Sequence, residues 1–230
     1  MTTSIRRGRF FYVGMGVALA ATAFVGFAPT YFLRPVFSPA AVLSPLMHVH
    51  GFLFSLWIVL LVVQTTLVAA RRTDVHRRLG VLGGVVAALM VPAGVELAIS
   101  SARKGLGPGG LDPLTFLAVP LGSVVMFAGF VIAGFVKRRT PATHKRLMLL
   151  ASIAIITPAL ARFWFAHRTP QIGLGLTNLF VVAMFAHDWW RDRRLHPVTL
   201  WGGLLVFLSG PIRLGLGSTA LWHAVPRLFV

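Results

Sequence analysis

LMHVHGFLFSLWIVLLVVQTTLVAA, residues 46–70, is followed by RRTDVHRR, residues 71–78, and then by LGVLGGVVAALMVPAGVELAIS, residues 79–100. Two apolar runs, each of the length that crosses a bilayer core as helix (about 20 residues), are joined by a short basic turn. This is the pattern of a transmembrane helical hairpin. Strands of a membrane barrel would show alternating segments of about ten residues instead, and only helices and closed barrels satisfy their backbone polar groups in lipid.

The pattern recurs on both sides of this hairpin. Spans are expected at about 10–28, 46–70, 79–100, 113–136, 147–167, 173–190 and 198–217, with short polar breaks between them. The composition agrees: 57% of residues are hydrophobic and 12% charged, against about 45–50% and about 25% in soluble domains, so a water-facing surface cannot be assembled. The expected fold is all-α, a polytopic transmembrane helix bundle forming a single integral membrane domain over residues 1–230. One leading helix would precede three helical hairpins.

Charge sets the expected direction. The formal charge of +17 would suggest nucleic acid in a soluble protein, but here the basic residues sit in short loops, where they orient spans and meet anionic lipid headgroups. Nucleic acid is therefore not an expected partner. With the N-terminus in the cytoplasm, the inner segments hold Arg6, Arg7, Arg9, Arg71, Arg72, Arg77, Arg78, Lys137, Arg138, Arg139, Lys145, Arg146, Arg191, Arg193 and Arg194, which is 15 of the 22 Lys and Arg residues. Arg34, Arg103, Lys104, Arg162, Arg168, Arg213 and Arg227 fall outside or at outer span ends. The expected location is the inner membrane of a bacterial cell, with the C-terminus outside. Trp164, Trp189, Trp190 and Trp201 lie near span ends, as interfacial rings do, whereas Trp57 lies deeper.

The basic start, Arg6 to Arg9, and the run to Ala28 resemble a signal peptide ending at Gly26-Phe27-Ala28, but Pro29 follows and the run is longer than a usual h-region. A retained span is expected. The absence of cysteine excludes disulfides, thiolate metal sites, iron-sulfur clusters and covalent c-type haem attachment, so a metal or cofactor must use His, Met, carboxylate or backbone.

Three cytoplasmic turns resemble one another: Arg71-Arg72-Thr73-Asp74-Val75-His76-Arg77-Arg78-Leu79, Arg138-Arg139-Thr140-Pro141-Ala142-Thr143-His144-Lys145-Arg146-Leu147, and more loosely Arg191-Asp192-Arg193-Arg194-Leu195-His196. Duplicated hairpins are the natural reading. The recurring histidine has two. It caps a helix and meets lipid phosphate beside its arginines, or His76, His144 and His196 converge to hold a metal. Neighbouring arginines oppose a bound cation, and Asp74, Asp188 and Asp192 would partly offset them.

At the other end, ionisable residues enter the spans themselves, where each costs roughly 2.5–3.5 kcal/mol near a helix centre. His50, Glu96, Arg162 and Arg213 each fall about one helical turn inside the outer boundary. Glu96 is expected to pair with one arginine, leaving the other either to snorkel to the surface or to bind an anion: a lipid phosphate, a substrate carboxylate or a haem propionate. His50, Trp57 and Gln64 recur every seven residues and form one stripe, which should face the bundle interior. His50 is the first candidate ligand, and His48 points elsewhere. Gly80-x-x-x-Gly84 in the third span permits close helix contact. His48, His50, His167 and His223 lie toward the outer face and His76, His144, His187 and His196 toward the inner one, an arrangement that a two-haem electron wire would need.

His48-x-His50, His76-Arg77-Arg78-Leu79-Gly80, His144-Lys145-Arg146-Leu147-Met148 and Arg162 together resemble bacterial membrane proteins of the DUF2306 type, over roughly residues 45 to 165. The His-x-Arg-x-Met element also resembles the DUF420 group, linked with assembly of haem-copper oxidases, and the layout is similar to cytochrome b561-like bundles. The resemblance implies a helical membrane protein with functional interest in His48, His50, His76 and His144, and it brings no established reaction.

Two functions follow as expectations. One is a protein binding haem b or a His-ligated metal ion for electron transfer or respiratory oxidase assembly, with His50, His48, Arg162, Arg213 and Glu96 at the cofactor. The other is a non-catalytic accessory or lipid-binding scaffold subunit of a membrane complex. A transporter using Glu96 with Arg162 or Arg213 ranks last, because Glu96 is the only carboxylate within the spans away from the loops and no pair of obviously broken helices stands out, although Pro92, Pro120, Pro158 and Pro211 are each placed to kink a helix. No nucleophile elbow, His-Glu-x-x-His or carboxylate pair points to a hydrolase.

Overall fold

A computed structural model describes residues 2–37, 39–40, 42–163, 170–224 and 226. Trp164, His167, Arg168 and Arg227 lie outside the described residues. Ten α-helices form among those described and no strand: α1 (Thr2–Phe27), α2 (Arg34–Phe37), α3 (Pro45–Ala69), α4 (Thr73–Arg103), α5 (Pro113–Val136), α6 (Pro141–Ala154), α7 (Thr157–Leu160), α8 (Pro170–Asp192), α9 (Pro197–Gly217) and α10 (Ala220–Ala224). A turn of π-helix, Ala28–Phe32, extends α1.

Several starts use one local device. Proline at the first helical position lacks the N–H that would be orphaned there, and the preceding side chain accepts from a free N–H. Ser44 Oγ accepts from Met47 at 3.3 Å, Asp112 Oδ2 from Thr115 at 2.8 Å and His196 Nδ1 from Val198 at 3.2 Å.

Six helical stretches are long and apolar enough to cross a membrane: Phe10–Phe32, Pro45–Ala69, Thr73–Arg103, Pro113–Val136, Ile172–Asp192 and Pro197–Gly217. Their outward faces carry large apolar side chains in the open, among them Val81, Val125 and Trp190 at 70–77% exposure. So much exposed apolar surface marks a lipid-facing exterior, and the chain is a multi-pass integral membrane protein.

The fifth expected span differs from the continuous helix anticipated over 147–167. It is α6, a break at Ile155–Ile156, then the single turn α7. Pro158 has no N–H to offer the carbonyl of Ala154, and the Ile156 N–H turns back to Ile153 at 3.3 Å instead. Pro92, Pro120 and Pro211 all lie within unbroken helices. Non-helical backbone at this depth is tolerated where protein buries it or where it lines a cavity, and the break meets that condition.

Each long helix packs on the next around the molecule: α1 on α3, α3 on α4, α4 on α5, α5 on α9, α9 on α8, and α8 back on α1. The broken span lies within this ring, with α6 against α5, α9, α8 and α1, and α7 against α8 and α1. Leu149, Leu150, Ala151, Ser152 and Ile153 are all 0–1% exposed. The expected hairpins α3–α4, α5–α6 and α8–α9 each pack internally. Their turns are not uniform: Arg71 and Arg193 take left-handed conformations (φ 62° and 51°) in the first and third, with no counterpart in the second.

Candidate functional site

The turns gather at one end of the bundle, and there the two best-matched histidines meet. His76 near the start of α4 and His144 near the start of α6 have ring centroids 6.2 Å apart at an interplanar angle of 82°. His144 Nδ1 lies 2.8 Å from the Gly134 carbonyl, so the ring donates through Nδ1 and presents Nε2. Gln64 of α3 lies beside His76 and Gly80. His76 Nδ1 and Gln64 Oε1 are both buried without a hydrogen-bond partner. Two imidazoles thus meet at a half-buried spot beside Gln64.

The third turn histidine does not join them. His196 caps α9, and its N–H donates to Asp188 Oδ2 at 3.1 Å. Burial, and then the positive charge of Arg146, hold its imidazole below the usual histidine range. Among the described residues no group of three His, Asp or Glu residues is placed to hold a metal ion.

His196 belongs to a buried polar cluster that the charge pattern did not reveal. Arg146 of α6 and Asp188 of α8 are 3% and 1% exposed and make a two-pronged contact, Nη2 to Oδ1 and Nε to Oδ2 at 3.3 Å. Arg146 also donates to Thr199 Oγ1 at 3.0 Å and to the Ala142 carbonyl at 2.8 Å. This is a pair with its remaining capacity satisfied, the condition under which a buried ion pair is tolerated. Asp188 therefore serves Arg146, Asp74 faces Arg72 at 3.9 Å and Asp192 faces Arg191 at 3.5 Å. None offsets charge at the His76–His144 pair. Beside this cluster His187 stacks on Phe11 (centroids 3.8 Å apart), with Nε2 buried and unpartnered, and Lys145 lies over the Tyr12 ring at 4.5 Å.

At the opposite end the expected common layer divides. His50 stacks on Phe54 (centroids 3.9 Å apart), close to the Ala93 backbone and within electrostatic reach of Arg162, with Nδ1 buried and unpartnered. His48 lies by Tyr31, whose hydroxyl donates to the His48 carbonyl at 3.3 Å. Arg162 covers the Phe27 ring at 4.5 Å and donates to the Pro158 carbonyl at 2.7 Å. His223 lies 3.0 Å from Thr115 Oγ1 and 3.6 Å from Asp112. The Thr115 N–H above all holds the Asp112 carboxyl below the usual range. No second imidazole faces His50 among the described residues.

The expected pairing of Glu96 is not present. Glu96 is exposed on α4 and meets neither arginine. At about 100° per residue it stands roughly opposite Gly94 and Ala98, which are buried. Arg213 is instead 9% exposed and bound to neutral groups: the Ser209 carbonyl at 3.0 Å, the Val119 carbonyl at 2.8 Å, Ser209 Oγ at 3.1 Å, and Ser123 Oγ. Trp57, the deep indole of the stripe, is buried and donates to Ser152 Oγ of α6 at 3.1 Å. The stripe does face inward.

Comparison with known proteins gives no match: no family model, no curated protein and no solved structure matches the chain.

Proposed function

We propose that this multi-pass membrane protein binds a transition-metal ion through His76 and His144 at the cytoplasmic face of a bacterial inner membrane, in the service of electron transfer or oxidase assembly. The observation that carries the reading is the meeting of the two turn histidines, with the Nδ1 of His76 buried and unpartnered. With metal–imidazole bonds of about 2.0–2.1 Å, two rings sharing one ion have centroids roughly 5–6.5 Å apart, and 6.2 Å fits. Imidazole suits copper, zinc, iron or nickel. Such an ion supplies Lewis-acid or one-electron chemistry that no side chain here supplies alone.

The chain's own part is to orient and deprotonate. The Gly134 carbonyl selects the His144 tautomer, the second contact by which metal-ligating histidines are usually aimed. His76, with its unpartnered Nδ1, comes from the neighbouring hairpin. Haem b is the other occupant this reading admits, and its absorption would distinguish it.

The test is metal analysis and oxidised-minus-reduced absorption on one purified sample. About one ion or haem per chain is expected, lost in both His76→Ala and His144→Ala and retained in His50→Ala. A colourless wild type that takes up no Cu²⁺ or Zn²⁺ overturns the proposal.

A second reading, an accessory subunit that also binds anionic lipid, is favoured by Glu96. A carboxylate on an exposed span face without a partner is costly in lipid, and a cationic group on a neighbouring membrane protein would relieve it. Co-purification of a larger complex that Glu96→Gln disrupts supports this reading, and an unchanged complex removes it.

A further inference from the structure

Where the fifth span breaks, α5, α6, α7, α8 and α9 leave a partly open cavity of about 290 Å³, near the lower end of the roughly 300–1,000 Å³ usual for ligand pockets. Most of its wall is apolar, with Met126, Leu174, Phe207 and Leu214, and its polar groups include Arg213, Asn178 and Thr157.

Among the described residues Arg213 has no counter-charge. Of the five acidic residues, Asp74, Asp188 and Asp192 face Arg72, Arg146 and Arg191, Asp112 caps α5 and Glu96 is exposed on α4. A guanidinium carries five N–H donors. Arg213 directs Nε to Ser209, both Nη1 hydrogens to Val119 and Ser123, and one Nη2 hydrogen to Ser209. One Nη2 donor remains. Hydrogen bonds to neutral oxygens satisfy donors but leave the net charge in a low-dielectric site, where an anion is strongly favoured.

A second observation marks the same cavity. Asn178 is half-buried in its wall and makes no hydrogen bond among the described residues, whereas Thr157 and Thr177 bond each other at 2.8 Å. A free amide and a spare guanidinium donor on an otherwise apolar wall suit a small molecule with one anionic end.

We infer that this cavity binds a small organic carboxylate with an apolar body, its carboxylate on Arg213 and Asn178. The site stands apart from the imidazole pair and does not depend on it.

The experiment uses the full chain in mild detergent, with thermal unfolding followed by tryptophan fluorescence. Benzoate is the probe and benzyl alcohol its uncharged control. Benzoate raises the Tm saturably and benzyl alcohol does not. Asn178→Leu keeps the ligand-free Tm, because that amide bonds nothing, and weakens benzoate by about tenfold, or about 1.4 kcal/mol. Arg213→Lys weakens it further, and Asn178→Leu keeps the test decisive if that variant does not fold. His76→Ala leaves the benzoate response intact, so this site and the metal site succeed or fail separately. Equal shifts from benzoate and benzyl alcohol, undiminished benzoate binding in Asn178→Leu, or stabilisation by phosphatidylglycerol alone would overturn the assignment, the last by giving Arg213 to a lipid headgroup.

Discussion

Arg146 and Asp188 are the two most deeply buried charges among the described residues, and removing one of them strands the other. Asp188→Leu should destabilise the protein by about 3–5 kcal/mol, measured by denaturant unfolding in detergent, while Arg146→Met combined with Asp188→Leu should recover most of that loss. An additive double variant would show that the pair is not the source of the penalty. His196 gives a pH prediction of definite sign. Its folded pKa lies below its unfolded one, so its contribution is complete above the ordinary range near about 6.5 and is lost as pH falls through it. His196→Asn keeps a capping acceptor and should flatten that acid-side decline. Position along the span was legible in the sequence for Glu96 and Arg213, but rotation about the helix axis was not, and Arg146, read there as part of a basic turn, is buried. Glu96 and Arg213 both sit near the far ends of their spans, and only the buried neighbours Gly94 and Ala98 on one side, and Ser209, Gly210 and Gly217 on the other, turn the first outward and the second inward.

The long spans announced themselves through continuous apolar runs, and the seven-residue stripe of α3 correctly marked an inward face. The break in the fifth did not show, because four spans contain proline and only one gives way. What differs at Pro158 is its surroundings. Gly26 of α1 lets that helix press directly on the Ala159 backbone, where a Cβ would collide, so contact with α1 fixes where α7 sits. Gly26→Leu should therefore cost about 1–3 kcal/mol through overpacking, whereas Gly14→Leu, with open space at its Cβ position, should cost little. Comparable losses in both would place the constraint elsewhere. Ser152→Ala tests the other tie on the central segment. It leaves the buried Trp57 N–H without its acceptor and should cost about 1–3 kcal/mol, with a shifted tryptophan emission as the accompanying sign.

For the molecule as a whole, six continuous helices surround one interrupted segment, and the basic turns, the exposed Trp189, Trp190 and Trp201 and the imidazole pair share one end. That arrangement requires the interrupted segment to cross the membrane despite its break. If it turned back instead, the turn after α5 and the turn after α8 would open on opposite sides, and the proposed placing of the C-terminus outside would fall. The chain contains no cysteine, so a single introduced thiol is the only site for a membrane-impermeant maleimide. Arg139→Cys and Arg194→Cys, each in an exposed basic turn, should both resist labelling in intact spheroplasts and both label in inverted vesicles. Labelling of the two positions from opposite sides would contradict a seven-crossing bundle built around a broken central helix.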